Sequence, residues 1–139
     1  MASVAALGST STEDQVRALS EIQNAGVSVV PILAQILNRT DATLLTMVWT
    51  MMGIARFGPA AADQAHSALV RCLKASSPTV RRSAIRTLGA LRDLSALDAI
   101  AALRSDHTLD PSAWFDDDCT VAQTAELVLA KLRSARPAT

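Results

Sequence analysis

The sequence predicts an all-α fold: an α-α superhelix, or solenoid, of stacked helical hairpins, with about seven helices in three hairpin repeats and a capping helix at the C-terminal end. Three observations predict it. The first is composition. Ala is the commonest residue and Leu the next, with two Phe and no Tyr. Ala and Leu favour helix, and the aromatic residues that favour strands are sparse. The second is periodicity, because apolar residues recur three or four apart and make one buried stripe per segment. The third is repetition. Asp41, Leu44, Val48, Met52, Gly53, Ala55 and Arg56 recur 36 positions later as Ser77, Val80, Ala84, Leu88, Gly89, Leu91 and Arg92. Those recur 41 positions later as Asp118, Val121, Ala125, Leu129, Ala130, Leu132 and Arg133.

Each element follows from local chemistry. Thr12 with Gln15 makes a capping box that opens a helix over about 13–25, burying Val16, Leu19 and Ile22, and Gly26 ends it. A helix over about 28–38 buries Val30, Leu33, Ile36 and Leu37. Asp41 caps the next, about 42–57, which carries the first copy of the template. Trp49 stands where Ile85 does in the second copy, so it is expected between helices. Ala65, Leu69, Cys72 and Leu73 make the stripe of a helix over about 60–75. Ser77 caps a helix over about 78–92, with Pro78 at the first position, where a missing N–H costs nothing. Leu97, Ile100 and Leu103 mark a helix over about 95–105. Asp118 caps the last, about 119–134, and Asp116 and Asp117 suit its positive N-terminal end. Arg56, Arg92 and Arg133 fall in last turns, where a cation meets the negative end of the helix dipole.

The chain is expected to be one domain, 1–139, ordered over about 12–134. Charge is balanced at 13 basic and 13 acidic residues, so no whole-surface field draws in nucleic acid or an anionic membrane. Met1–Thr12 lacks the basic and long apolar regions of a secretory signal. The apolar stretch Met47–Ala55 is interrupted by Thr50 and too short to span a bilayer. Two isolated thiols, Cys72 and Cys119, suit a reducing compartment, so a cytoplasmic location is expected. His66 and His107 lie far apart, and His66 and Cys72 fall on different helix faces, so no metal site is expected. There is no nucleophile elbow, and the five glycines are isolated, so neither a catalytic site nor a cofactor is expected.

The stretch Ser77–Leu103, SPTVRRSAIRTLGALRDLSALDAIAAL, resembles the bacterial HEAT-like repeat also seen in phycobilin lyase subunits. The matching features are the turn proline Pro78, the pair Val80–Arg81, the run Ala84–Leu88–Gly89 and the Asp93 turn. Asp117–Leu132 resembles the first helix of another copy. Thr40–Leu73 is a weaker copy, with Leu45 where Arg81 stands. The resemblance implies fold more than function. Such families serve as scaffolds, adaptors and lyase subunits and, in one branch, as DNA glycosylases.

The leading expectation is a non-catalytic module that binds another protein. Its inner face comes from the second helix of each hairpin, where Gln35, Asn38, Gln64, Ser67, Arg71 and Asp98 lie off the apolar stripe. The setting is an adaptor, a toxin-neutralising immunity protein or a chaperone-like accessory subunit; the resemblance alone implies the alternative of an accessory subunit of a bilin lyase or isomerase. A nucleic-acid binder would use Arg81, Arg82 and Arg86, whose plainer role is a solvated outer helix face. Five extra residues separate the second and third copies, and this insertion holds Trp114, Phe115, Asp116 and Asp117. It is either a binding loop for a basic partner or a cover over the apolar end of the stack.

Overall fold

In a computed structural model, the residues described are 12–39, 42–111 and 120–134. They form seven α-helices: α1 Thr12–Ala25, α2 Val30–Leu37, α3 Leu44–Ala55, α4 Ala62–Cys72, α5 Pro78–Ala90, α6 Leu97–Ala101 and α7 Val121–Ser134. These make two rows. In the first, α1, α3, α5 and α7 stack in order; in the second, α2 packs on α4 and α6 follows. The rows join through α2 on α3, α4 on α5 and α6 on α7.

Each second-row helix is entered through a 3-10 turn, at Val27–Val29, Gly58–Ala61 and Leu94–Ala96. The tighter winding swings the chain into the second row while burying Val29, Ala61 and Ala96 in turn. These turns explain why the α-helical parts start later than periodicity predicts.

Three reversals depend on left-handed backbone, at Gly26, Gly58 and Arg92. Gly26, at φ 88°, ends α1 as expected, since glycine adopts this conformation without a Cβ clash. Arg92, at φ 52°, does the same after α5. Its N–H donates to the Gly89 carbonyl and the Asp93 N–H to the Leu88 carbonyl, both at 3.1 Å. That pair of bonds is a Schellman motif. Arg92 therefore shapes the turn with its backbone, beyond the dipole role expected of its side chain.

The N-terminal caps divide. Ser77 and Pro78 open α5 as expected, with Ser77 Oγ accepting from Val80 N–H at 3.5 Å. Asp41 and Asp118 lie outside the described residues, as do the side chains of Thr12 and Gln15. Thr43 caps α3, its Oγ1 accepting from Thr46 N–H at 3.1 Å. A reciprocal capping box opens α7. Gln123 N–H donates to Thr120 Oγ1 and Thr120 N–H to Gln123 Oε1, both at 3.0 Å.

One apolar core runs between the rows. The stripes expected in α2 and α4 are buried in full, as are Leu19 and Ile22 of α1, but Val16 faces outward at 48% exposure. The first copy of the template is out of register by one residue. Leu88 and Leu91 are fully buried, and so are Met51 and Ile54, which precede them by 37 positions rather than 36. Met52, aligned with Leu88 by the sequence, is 44% exposed, and Leu44 is exposed as well. Apolar side chains surround α3 almost completely, so its pattern alone does not choose a face.

The register is testable by a pair of truncations. Leu88→Ala should cost about 2–5 kcal/mol of unfolding free energy in a denaturant titration. Met52→Ala should cost under about 1 kcal/mol. Equal losses would restore the alignment by 36.

Candidate interaction surface

All six side chains expected on the second row are exposed: Gln35 and Asn38 on and just after α2, Gln64, Ser67 and Arg71 on α4, and Asp98 on α6. Helical spacing puts Gln64, Ser67 and Arg71 on one face of α4, because residues three and four apart are neighbours. Arg71 Nη1 donates to Asn38 Oδ1 at 3.0 Å, joining α4 to the end of α2. Lys74 extends the same line, a member that sequence reasoning missed although its spacing from Arg71 shows it. Past α4 the row opens, because α4 and α6 barely meet. The groove between them has a volume of about 380 Å³ and is lined by Val70, Leu73, Lys74, Asp98, Ala99, Ala102 and Leu103.

Two of the three arginines of α5, Arg81 and Arg82, are not on the solvated face that sequence suggests. Arg82 is 5% exposed. Its Nε donates to Thr124 Oγ1 of α7 at 2.9 Å and its Nη1 to Asp110 Oδ2 at 3.3 Å. Asp110 is equally buried and accepts a second bond, from Thr79 Oγ1 at 2.6 Å. Arg81 is also committed. Its Nε donates to Asp106 Oδ2 at 2.9 Å and its Nη1 to the carbonyls of Ala75 and Ser76. Burial pushes the Asp106 carboxyl up, but hydrogen bonds from Thr108 and the Arg81 charge outweigh it and hold the pKa below its ordinary value. Arg86 is exposed.

These contacts assign a job to the described part of the insertion. The Thr108 carbonyl accepts from Val121 N–H at 3.0 Å and the Asp106 carbonyl from Ala122 N–H at 2.6 Å. A helix start leaves its first N–H groups without intrahelical partners, and here the insertion backbone satisfies two of them. Leu109 also pairs with Thr120 as an isolated antiparallel bridge. The segment up to Asp110 thus fastens α7 to α5. Trp114, Phe115, Asp116 and Asp117 lie outside the described residues.

Ser95, His66 and Asp93 converge where α4 meets the turn after α5. His66 Nδ1 lies 2.5 Å from Asp93 Oδ2, and Ser95 Oγ donates to Asp93 Oδ1 at 2.5 Å. Ser95 Oγ sits 3.3 Å from the same ring nitrogen, Nδ1. A nucleophilic relay needs the carboxylate on one ring nitrogen and the hydroxyl on the other. Here both crowd one nitrogen and the serine proton points to the carboxylate, so the imidazole cannot act as base for Ser95. The cluster pins the α5–α6 turn to α4. Burial pushes the Cys72 thiol up to about 11 against the opposing pull of Arg71, which keeps it protonated and unreactive at neutral pH. Among the described residues no three His, Cys, Asp or Glu side chains gather as a metal site would require. Nor is any described helix long and apolar enough to cross a membrane.

Two rows of antiparallel helix pairs, joined by buried stripes at a near-constant interval, define a helical-repeat protein. The family profile described as HEAT repeats matches residues 30–114, more than half of the sequence, and the chain belongs to that family. The match spans α2 to α6, with α1 and α7 flanking it. No curated protein matches the chain.

The clasp yields a double-mutant test. Asp110→Ala leaves a buried guanidinium without its counter-charge and should cost about 3–5 kcal/mol. Adding Arg82→Met should restore a substantial part of that loss. A double variant whose loss equals the sum of the two single losses would show that the pair does not couple.

Proposed function

We propose that the chain is a non-catalytic module that binds another protein on its second row of helices. The observation that carries this is the line Gln35, Asn38, Gln64, Ser67 and Arg71, continued by Asp98 across the α4–α6 groove. Every one of these side chains is exposed, and they lie on successive helices of a HEAT-repeat stack. HEAT repeats commonly mediate protein interaction, and stacked helix pairs supply an extended surface for it. Short polar side chains suit specific hydrogen bonding to a protein better than they suit an apolar ligand. The nucleic-acid alternative loses its main support, because a phosphate contact needs accessible cations and Arg82 is buried while Arg81 is held by an acid and two carbonyls.

Affinity capture from native lysate tests the assignment. The wild-type chain and a first-row control, Met52→Gln, should capture the same partner. Gln64→Arg combined with Ser67→Arg, both at exposed positions, should reduce recovery at least about tenfold. Equal recovery by the second-row variant, or loss confined to the Met52 variant, would move the binding surface elsewhere.

A further inference from the structure

We propose that the segment 1–8 of this chain docks on the outer side of α3, with Val4 and Leu7 against the stripe Leu44, Val48 and Met52. The inference is independent of the second-row assignment above, because the stripe belongs to the first row.

The stripe lacks a cover that its chemistry calls for. α3 carries no charged residue, and its apolar side chains surround it almost completely. A helix of that pattern belongs in a core. Met51 and Ile54 do face the core, but Leu44, Leu45 and Met52 are exposed at 48%, 38% and 44%. Leu44, Val48 and Met52 are four apart, so they form one line along the helix. That line borders a groove of about 480 Å³, lined on the α3 side by Val48, Met51, Met52 and Ala55. Its α5 side is more polar, so an occupant need be apolar only where it meets α3.

The place where the chain enters α1 selects the occupant. Residues 1–11 lie outside the described residues and lead into α1 at Thr12. α1 and α3 are neighbours in the first row, where the helices run the same way. Gly53 of α3 sits against Leu19 of α1, since a Cβ there would lie 3.3 Å from Leu19 Cδ2. Thr12 precedes Leu19 by as many residues as Thr46 precedes Gly53. The chain therefore enters α1 beside the first turn of α3. From Leu7 to Thr12 it can span about 17 Å, and neighbouring helix axes lie about 8–10 Å apart, so Leu7 reaches the stripe.

The chemistry of the segment matches. It reads MASVAALG, without a charged side chain, and Met1, Val4 and Leu7 recur three apart. That spacing would put them on one side of a helical turn, with only Ala, Ser and Gly elsewhere. A second copy of the chain is less suited. Three half-exposed side chains supply far less than the about 800 Å² that each partner of a stable dimer buries. A tethered segment docks at a high effective concentration, so a weak apolar contact suffices.

Peroxide footprinting of the full chain tests the assignment. Hydrogen peroxide transfers one oxygen atom to an accessible methionine sulfur, giving the sulfoxide and water. Tandem mass spectrometry then reads the rate at Met52 separately from Met51. In the wild type the docked segment should shield Met52. Val4→Asp combined with Leu7→Asp should raise the Met52 rate at least about fivefold, with an unchanged circular dichroism spectrum. Met51, fully buried, should stay slow in both chains and so report an intact fold. Equal Met52 rates in the two chains would overturn the proposal. A wild-type dimer in sedimentation velocity that Met52→Asp dissociates would overturn it as well, because the stripe would then belong to a second copy.

Discussion

The burial of α5 on several sides is the constraint on which the rest of the structure depends. It packs on α3, α4 and α7 at once, so it must present a fitting face in each direction. Leu88 and Leu91 fill the core, and Gly89 lets α7 come close. A Cβ at Gly89 would lie 2.9 Å from Val128 Cγ1, nearer than side chains tolerate. Polar residues serve the remaining direction. Arg82 and Thr79 meet Asp110, and Arg82 also meets Thr124, in a buried cluster, and among the described residues no buried side-chain nitrogen or oxygen lacks a hydrogen bond. A buried ion pair contributes less net stability than well-packed apolar side chains do, but it is specific, because breaking it strands a charge. Here that specificity fixes where the irregular crossover lies, so α7 joins the stack despite the interrupted repeat.

The fold was legible in the sequence because its signals are local. Helix number, row assignment and most of the core follow from apolar spacing, and Gly26 and Pro78 punctuate the chain as their chemistry requires. The misses have equally local causes. Thr120 and Gln123 form the same type of box as was read at Thr12 and Gln15, but a run of aspartates just upstream drew the cap to Asp118. The one-residue error in α3 arose because Gly53 and Gly89 align at an interval of 36 while serving different contacts. Gly53 faces Leu19 of α1, and Gly89 faces Val128 of α7. A glycine shared between copies is thus a poorer register mark here than the fully buried pair Met51 and Ile54.

Less of the candidate surface was legible. The exposed polar positions on α2, α4 and α6 followed from being off the stripe, which a helical wheel decides. The α4–α6 groove did not, since it depends on how soon α6 ends and how far it stands from α4. The fate of Arg82 was beyond local reasoning too. Its partners are Asp110, 28 residues away, and Thr124, 42 residues away. Neither pairing has a periodic signature, and an arginine on a helix with other arginines reads as solvated until the crossover is placed against it. The surface is the product of a rigid stack held by α5, with variation confined to residues that the stack leaves outside.

Native-state hydrogen exchange tests the central role of α5 most directly. If α5 is the shared wall of the stack, the amides of Ala84–Leu91 should exchange only through global unfolding. Their opening free energy should then match the stability found by denaturant titration, with α1 opening at lower cost. Exchange of these α5 amides through local opening, while α1 or α2 stays protected, would contradict the account and place the stabilising centre in the first hairpin.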